Sequence, residues 1–177
     1  MSYTFAKATV TENVEGGLNA EVSCLNGLVA PPGSTYSLSD NPVYHDGESI
    51  SAGDVILFRV SGGGVLDNNN IYPYNPATGS PLRLGGGIGK GNIIEEDASP
   101  TVRVAWVNGL NASGTIDASQ AEGADQLPVD TAVYFLCQLN ESSVFEVTSV
   151  AVSEGTCGDV PAGPSEFNFN GVGQTAY

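Results

Sequence analysis

"TAVYFLCQLNESSVFEVTSVAV", residues 131–152, is the stretch whose pattern decides the fold class. Every second side chain of its first limb lies on one side of an extended chain: Val133, Phe135, Cys137 and Leu139. "NESS" at 140–143 is a polar turn, and the β-branched second limb alternates as far as Val152. Two alternating limbs joined by a short polar turn predict an antiparallel β-hairpin.

The rest of the chain shows the same period of two and no helical periodicity. Glycine (23 residues) and proline (10 residues) interrupt the 177-residue chain so often that few windows could hold three helical turns. Strands are expected near 3–10, 18–25, 54–60, 101–108, 114–119, 131–139 and 144–152. We therefore expect an all-β fold, an antiparallel β-sandwich or jelly-roll-like barrel, in a single domain over residues 1–177.

The first limb of the hairpin also resembles a strand motif of immunoglobulin variable domains. "DTAVYFLC" meets the family pattern DxAxYxC at three fixed positions, Asp130, Ala132 and Tyr134. Leu136 stands where the family has its cysteine. The resemblance covers eight residues and implies a sandwich.

One segment, residues 61–100, is expected to be a long irregular arm. It is rich in Gly, Asn and Pro, and loops of this length are uncommon inside a domain. It nevertheless carries more apolar side chains than a linker would, so we expect it to pack against another surface. The predicted contact residues of the arm are Ile71, Tyr72, Tyr74, Leu82 and Leu84.

The C-terminal stretch "EFNFNGVGQTAY" alternates aromatic and polar residues. Alternation of this kind is typical of a segment that adds a strand to a neighbouring subunit. Phe167 and Phe169 are therefore predicted as a second contact.

"LGGGIGKGN", residues 84–92, has the glycines and the lysine of a phosphate-binding loop but not the spacing. A P-loop requires GxxxxGK[ST], whereas Leu84 stands five residues before Gly89 and Gly91 follows Lys90. In a dinucleotide fingerprint the third glycine would fall on Lys90. We predict a flexible loop and no nucleotide cofactor.

The charge balance excludes two classes of partner. Twenty acidic and five basic residues give a net charge of −15, and charged residues are only 14% of the chain. Nucleic acids and anionic membranes are bound through clustered Lys and Arg, so neither is expected. Residues 1–17 lack the apolar core of a secretory signal peptide, and no 18-residue apolar run is present. A surface of Ser, Thr, Asn and Gly is common in secreted β-proteins and in virion or filament subunits.

Three cysteines cannot all pair within one chain, and no two have CxxC spacing, so a structural zinc site is not expected. Cys24 and Cys137 fall on the apolar faces of expected strands and are predicted to be buried, bonded or not. Cys157 lies in the turn-like "EGTCGD" and is predicted to be the most reactive thiol.

No residue pattern assigns a catalytic, cofactor or metal site. The single histidine, His45, lies in a polar Asp-Gly turn, and no GxSxG motif occurs. The acidic clusters at 67–70 and 95–97 offer oxygen ligands for calcium but lack the DxDxDG register.

These observations predict a structural subunit of a self-assembling particle, in the first place a bacteriophage capsid-decoration or capsid-associated protein. Its partners would be other subunits of that particle, including copies of itself, and its location the virion or, alternatively, the extracellular space. A second interpretation is a ligand-binding β-sandwich for carbohydrate or calcium, with Tyr72, Tyr74 and Trp106 as platforms for sugar stacking. A third is a hydrolase.

Overall fold

The structure is a computed structural model that describes residues 2–76, 84–96 and 99–170. Within these ranges a short 3-10 helix (Ala124–Gln126) accompanies the strands. The strands are β1 (Tyr3–Glu12), β2 (Leu18–Leu25), β3 (Leu28–Val29), β4 (Thr35–Ser37), β5 (Val55–Ser61), β6 (Tyr72–Pro73), β7 (Gly86–Glu96), β8 (Ser99–Val107), β9 (Leu110–Ser113), β10 (Thr115–Asp117), β11 (Ala132–Leu139), β12 (Phe145–Val152) and β13 (Phe167–Asn168). The all-β class is confirmed, and each strand expected from alternation is present.

The strands form two sheets that pack together as a sandwich. The first has the order β3-β2-β1-β5-β6, and β4 also pairs with β2. The second has the order β10-β12-β11-β7-β8-β9-β13. Strand β10 pairs with both β12 and β8, so β7, β8, β10, β12 and β11 form a closed ring. The second sheet thereby contains a small five-stranded barrel, which β9 and β13 extend at β8.

Three apolar clusters stack across the molecule. One fills the interior of the barrel and includes Phe135 and Phe169. A second, which includes Trp106, lies between the barrel and the inner face of the first sheet. The third covers the outer face of the first sheet, where Phe58 packs with Ile71 from a loop. Burial on both faces explains why β5 reads as a nearly continuous apolar run.

The predicted hairpin is β11 and β12, and its faces are assigned as expected. Val133 and Cys137 point into the barrel, whereas Leu136 points to the layer between the sheets. The Asn140 side-chain oxygen accepts hydrogen bonds from the backbone N–H groups of Ser142 and Val144 and so closes the turn. Because both faces of β11 are buried, this hairpin links the two inner cores.

The prediction of a flexible glycine loop is wrong, because most of that stretch is the long central strand β7. Its backbone pairs with β8 on one side and β11 on the other. A Cβ atom on Gly87 would lie 2.7 Å from Val107 Cγ2, one on Gly89 2.8 Å from Phe135 Cζ, and one on Gly91 2.7 Å from Val102 Cγ1. Glycine is required on this face because other side chains already fill the barrel.

The prediction of an irregular arm over 61–100 is also wrong for those residues of the segment that the structure describes. Ile71 and Tyr72 are 0% exposed and Leu84 is 2% exposed, so these side chains belong to the chain's own cores. Tyr74 is half-buried and packs edge-on against Trp106. Leu82 lies outside the described residues. Ile71, Tyr72 and Leu84 therefore pack in the chain's own cores and are not exposed contacts.

The C-terminal pair of phenylalanines is likewise used within the chain. Phe167 pairs with Ala112, which makes β13 a parallel neighbour of β9. Phe169 is fully buried in the barrel, with its ring centroid 5.4 Å from that of Phe145. The added strand that the alternation predicted is therefore formed on the chain's own barrel.

The glycine face of β7 gives a stability prediction. Gly89→Ala should lower the free energy of unfolding by about 3 kcal/mol, because the new methyl group overlaps the Trp106 carbonyl oxygen and the Phe135 ring. Gly63→Ala is the control, since its Cβ would lie 3.9 Å from Ser61 Oγ, and it should change stability by less than about 1 kcal/mol. Urea unfolding of both variants measures the difference. Equal stabilities would contradict the close packing of β7.

Candidate functional site

Two features of the molecule involve both sheets. One is a segment that joins the sheets, which we call the clasp, and the other is a polar cleft between them. The clasp is the segment 153–160, which follows β12 and crosses to the edge of the first sheet. Its Cys157 forms a disulfide with Cys24 of β2, 133 residues earlier in the chain. The backbone N–H groups of Glu154 and Cys157 donate to the carbonyl oxygens of Asn26 and Gly27.

The clasp is also held by the barrel, through the lysine of the glycine-rich strand. The Lys90 ammonium donates to both carboxylate oxygens of Asp159, at 2.9 and 3.0 Å, and to the Gly155 carbonyl at 3.0 Å. The Tyr134 hydroxyl donates to the Cys157 carbonyl at 3.3 Å. Lys90 is mostly buried, and its ammonium group is engaged by the clasp.

The disulfide corrects the prediction that Cys157 is the most reactive thiol. The free cysteine is Cys137, which is fully buried in the barrel, while the predicted burial of Cys24 is confirmed. Burial raises the pKa of the Cys137 thiol to about 12, which suppresses the reactive thiolate. Cys24 is thus bonded to Cys157 and not to Cys137.

Beside the clasp lies a very small cavity between the sheets. Its volume is about 10 Å³, close to the minimum for one water molecule, and Lys7 and Trp106 contribute to its wall. The Lys7 ammonium lies 3.8 Å from the centre of the Tyr74 ring, and burial lowers the pKa of Lys7. The cavity is too small for an organic ligand.

The polar cleft lies where the start of β1 and the end of β5 meet the barrel. It consists of two adjoining grooves of about 410 and 340 Å³ that share Tyr3 and Arg59, and we call it the Arg59 cleft. The first groove is further lined by Ser61, Val65, Leu66, Asp67, Asn68 and Asn69. The second is further lined by Gln120, Glu122, Gln138, Thr148, Ser149 and Val150.

Arg59 is fixed in the centre of this cleft by three contacts. Its Nε donates to Asp67 at 2.8 Å, its Nη1 donates to Ser149 Oγ at 2.8 Å, and its guanidinium carbon lies 4.1 Å from the centre of the Tyr3 ring. One N–H donor is thus engaged by the loop that follows β5 and another by β12 of the barrel, and the group is held in one orientation.

Asp67 is the counter-ion and is itself held by its neighbours. Burial alone would raise the pKa of this carboxyl, but hydrogen bonds from the Asn70 amide, Arg59 and the Asn69 backbone N–H outweigh it and keep the pKa below its ordinary value. Asn70 in turn accepts a hydrogen bond of 2.6 Å from Gln138 of β11. The cleft therefore has a connected polar floor that spans both sheets.

The aromatic residues and the histidine singled out from the sequence make contacts within the fold. Tyr72 and Trp106 are buried and Tyr74 is half-buried under Lys7, so none offers an open face for sugar stacking. His45 is exposed, stacks on Tyr72 with ring centroids 5.2 Å apart, and lies 3.1 Å through Nδ1 from the Asn69 carbonyl. These contacts orient the ring without a nucleophile among them.

The calcium alternative finds no support in the described acidic groups. The carboxylate of Asp67 is used by Arg59 and by two asparagines. Glu95 is exposed, and the cluster to which it belongs lies partly outside the described residues. Over the ranges the structure covers, no group of three or more His, Cys, Asp or Glu residues is arranged to hold a metal ion.

Comparison with known proteins leaves the function to be argued from the structure. No family model, no curated protein and no solved structure matches this chain. In the described part of the chain no helix has the length and apolar character needed to cross a membrane. Sequence reasoning missed the Arg59 cleft, although its one signal was visible: Arg59 interrupts the otherwise apolar "DVILFRV".

The clasp gives a prediction about Lys90. Lys90→Ala should lower the free energy of unfolding by about 2 kcal/mol, because Asp159 and the Gly155 carbonyl lose a shared, mostly buried partner. Arg103→Ala, an exposed cation on the adjacent strand β8, should change it by less than about 0.5 kcal/mol. Chemical denaturation at low and high salt provides the measurement. A Lys90 effect no larger than the Arg103 effect would show that the ion pair does not hold the clasp.

The cysteines give a second prediction. A thiol-alkylating reagent should add no label to the native protein, because Cys24 and Cys157 are bonded and Cys137 is fully buried. Denaturation without reductant should expose one thiol, and denaturation with reductant all three. Intact-mass spectrometry counts the labels. Rapid labelling of a native cysteine would contradict either the disulfide or the burial.

Proposed function

We propose that this chain is a structural subunit of a self-assembling particle, in the first place a virion decoration or capsid-associated protein of a bacteriophage, and not an enzyme. The observation that carries the proposal is the edge strand β3. It has one hydrogen-bonded neighbour among the described strands, β2, and it presents Leu28 at 49% and Val29 at 79% exposure. Open, apolar strand edges are sites where a second chain adds a strand.

The clasp supports the same proposal because it makes this edge rigid. Cys24, which pairs with Val29 across β2 and β3, is the residue that carries the disulfide. The turn before β3 packs so closely on the clasp that a Cβ on Gly27 would overlap the Gly155 backbone. A strand edge held in this way loses little conformational freedom when a partner binds it.

The disulfide also supports the proposed location. Disulfides persist in oxidising surroundings such as the extracellular space and virion surfaces, and are rare in cytosolic proteins. A bonded Cys24–Cys157 pair fits a protein that works on a virion or outside the cell.

Self-association through β3 can be tested by sedimentation velocity from micromolar to millimolar concentration. The wild-type chain should sediment faster as concentration rises, and more so at high salt, which screens its net charge of −15. Val29→Lys should remain a monomer, since a lysine on an edge strand blocks strand addition.

Val14→Lys is the matched control for that test. Val14 is fully exposed in the turn between β1 and β2, at the opposite end of β2 from β3, and its replacement should leave association unchanged. Equal unfolding midpoints would establish that both variants are folded. A wild-type chain that stays monomeric at every concentration and salt would contradict self-assembly, and equal effects of both lysines would contradict the β3 edge.

A further inference from the structure

We propose that the Arg59 cleft is a binding site for a neutral saccharide. The inference goes beyond the role of a particle subunit and concerns a different surface, since β2 and β1 lie between β3 and β5 in the first sheet. Two adjoining grooves of about 410 and 340 Å³ share a wall, and volumes of this size hold small organic ligands.

The chemistry of the lining matches a polyhydroxylated ligand. Amide and hydroxyl side chains line both grooves, with Asn68 and Asn69 in one and Gln120, Gln138 and Thr148 in the other. Such groups both donate and accept hydrogen bonds, as sugar hydroxyls do. Tyr3 lines both grooves as well, and because the Arg59 guanidinium lies over its ring, it offers a sugar the edge of the ring and not an open face.

The polar floor is arranged before any ligand arrives. Arg59 is oriented by Asp67, Ser149 and Tyr3, and Asn70 is fixed by Asp67 and Gln138. Side chains that are already held in place lose little freedom on binding, which favours affinity for a ligand with many weak polar contacts.

Charge selects a neutral ligand over an anionic one. Arg59, the cation that the grooves share, is paired with Asp67, and Glu122 also lines the cleft. The chain as a whole carries a net charge of −15, which repels sulfated, sialylated or phosphorylated molecules. A neutral oligosaccharide avoids this repulsion.

The test is nitrogen-15 NMR of the side-chain amides with a panel of neutral oligosaccharides: glucans, mannans, galactans and N-acetylhexosamine oligomers. At least one of them should shift the amide signals of Gln120, Gln138 and Asn68 in a saturable manner and leave that of Gln126 unchanged. Sulfated and sialylated counterparts should bind more weakly. Absence of saturable shifts with every neutral sugar, or stronger binding of the anionic ones, would overturn the proposal.

Matched variants separate recognition from folding. Gln120→Ala and Asn68→Ala remove exposed amides, one from each groove, and each should weaken binding about fivefold, as expected for one hydrogen bond. Gln126→Ala removes an exposed glutamine outside the cleft and should have no effect. Tyr3→Ala should abolish binding while the amide spectrum of the barrel remains that of a folded protein. Binding that is indifferent to the cleft variants would place the sugar elsewhere and overturn the assignment.

Discussion

The rest of the structure depends on the side-chain-free face of β7. The barrel closes into five strands only because Gly87, Gly89 and Gly91 leave its interior to side chains from β8 and β11. A residue with a Cβ on this face would push those strands apart, since Cβ atoms there would overlap backbone and ring atoms. The opposite face of β7 remains available for Ile88 and Lys90, which meet the first sheet and the clasp. One strand thereby sets both the width of the barrel and the position of its neighbours.

The same arrangement of the sheets determines where three of the five basic residues of this acidic chain lie. Lys7 and Arg59 lie on the inner face of the first sheet, and Lys90 lies on the facing side of the barrel. All three take part in cation–π contacts, and two also form ion pairs: Arg59 with Asp67 in the loop that follows β5, and Lys90 with Asp159 of the clasp. Three of the five basic residues are therefore engaged between the sheets, while Arg103 is exposed. With 20 acidic residues in the chain, carboxylates dominate the surface charge. Copies of such a chain repel each other at long range, so contacts between them must rely on local apolar edges and on screening by salt.

The sequence predicted what side-chain alternation can encode and missed what it cannot. The β11–β12 hairpin was predictable with its faces, because Val133 and Cys137 alternate with residues of the other core. Strand β7 was not predictable, because the residues on its interior face are glycines, and a run of glycines in a sequence indicates a flexible loop. The disulfide was not predictable either. Alternation predicted that Cys24 is buried, but which cysteine it bonds to depends on where the clasp crosses the edge of the first sheet.

The apolar residues of the predicted arm were compatible with two structures, an arm that packs on another subunit and a segment that packs on its own chain. Ile71, Tyr72 and Leu84 were correctly expected to pack against a surface, and the structure supplies that surface from the chain's own sheets. Burial of these residues also brings Asp67 and Asn70, which precede them, to the end of β5 beside Arg59. The Arg59 cleft thus exists because the loop after β5 folds back onto the sheet. The residues of the cleft come from this loop, from β5 and from β12, which are far apart in the sequence, so no local sequence pattern predicts that they meet. The edge at β3 and the cleft at β5 are separated by β2 and β1 in the first sheet, so the attachment and the ligand binding proposed for them would not compete for one surface.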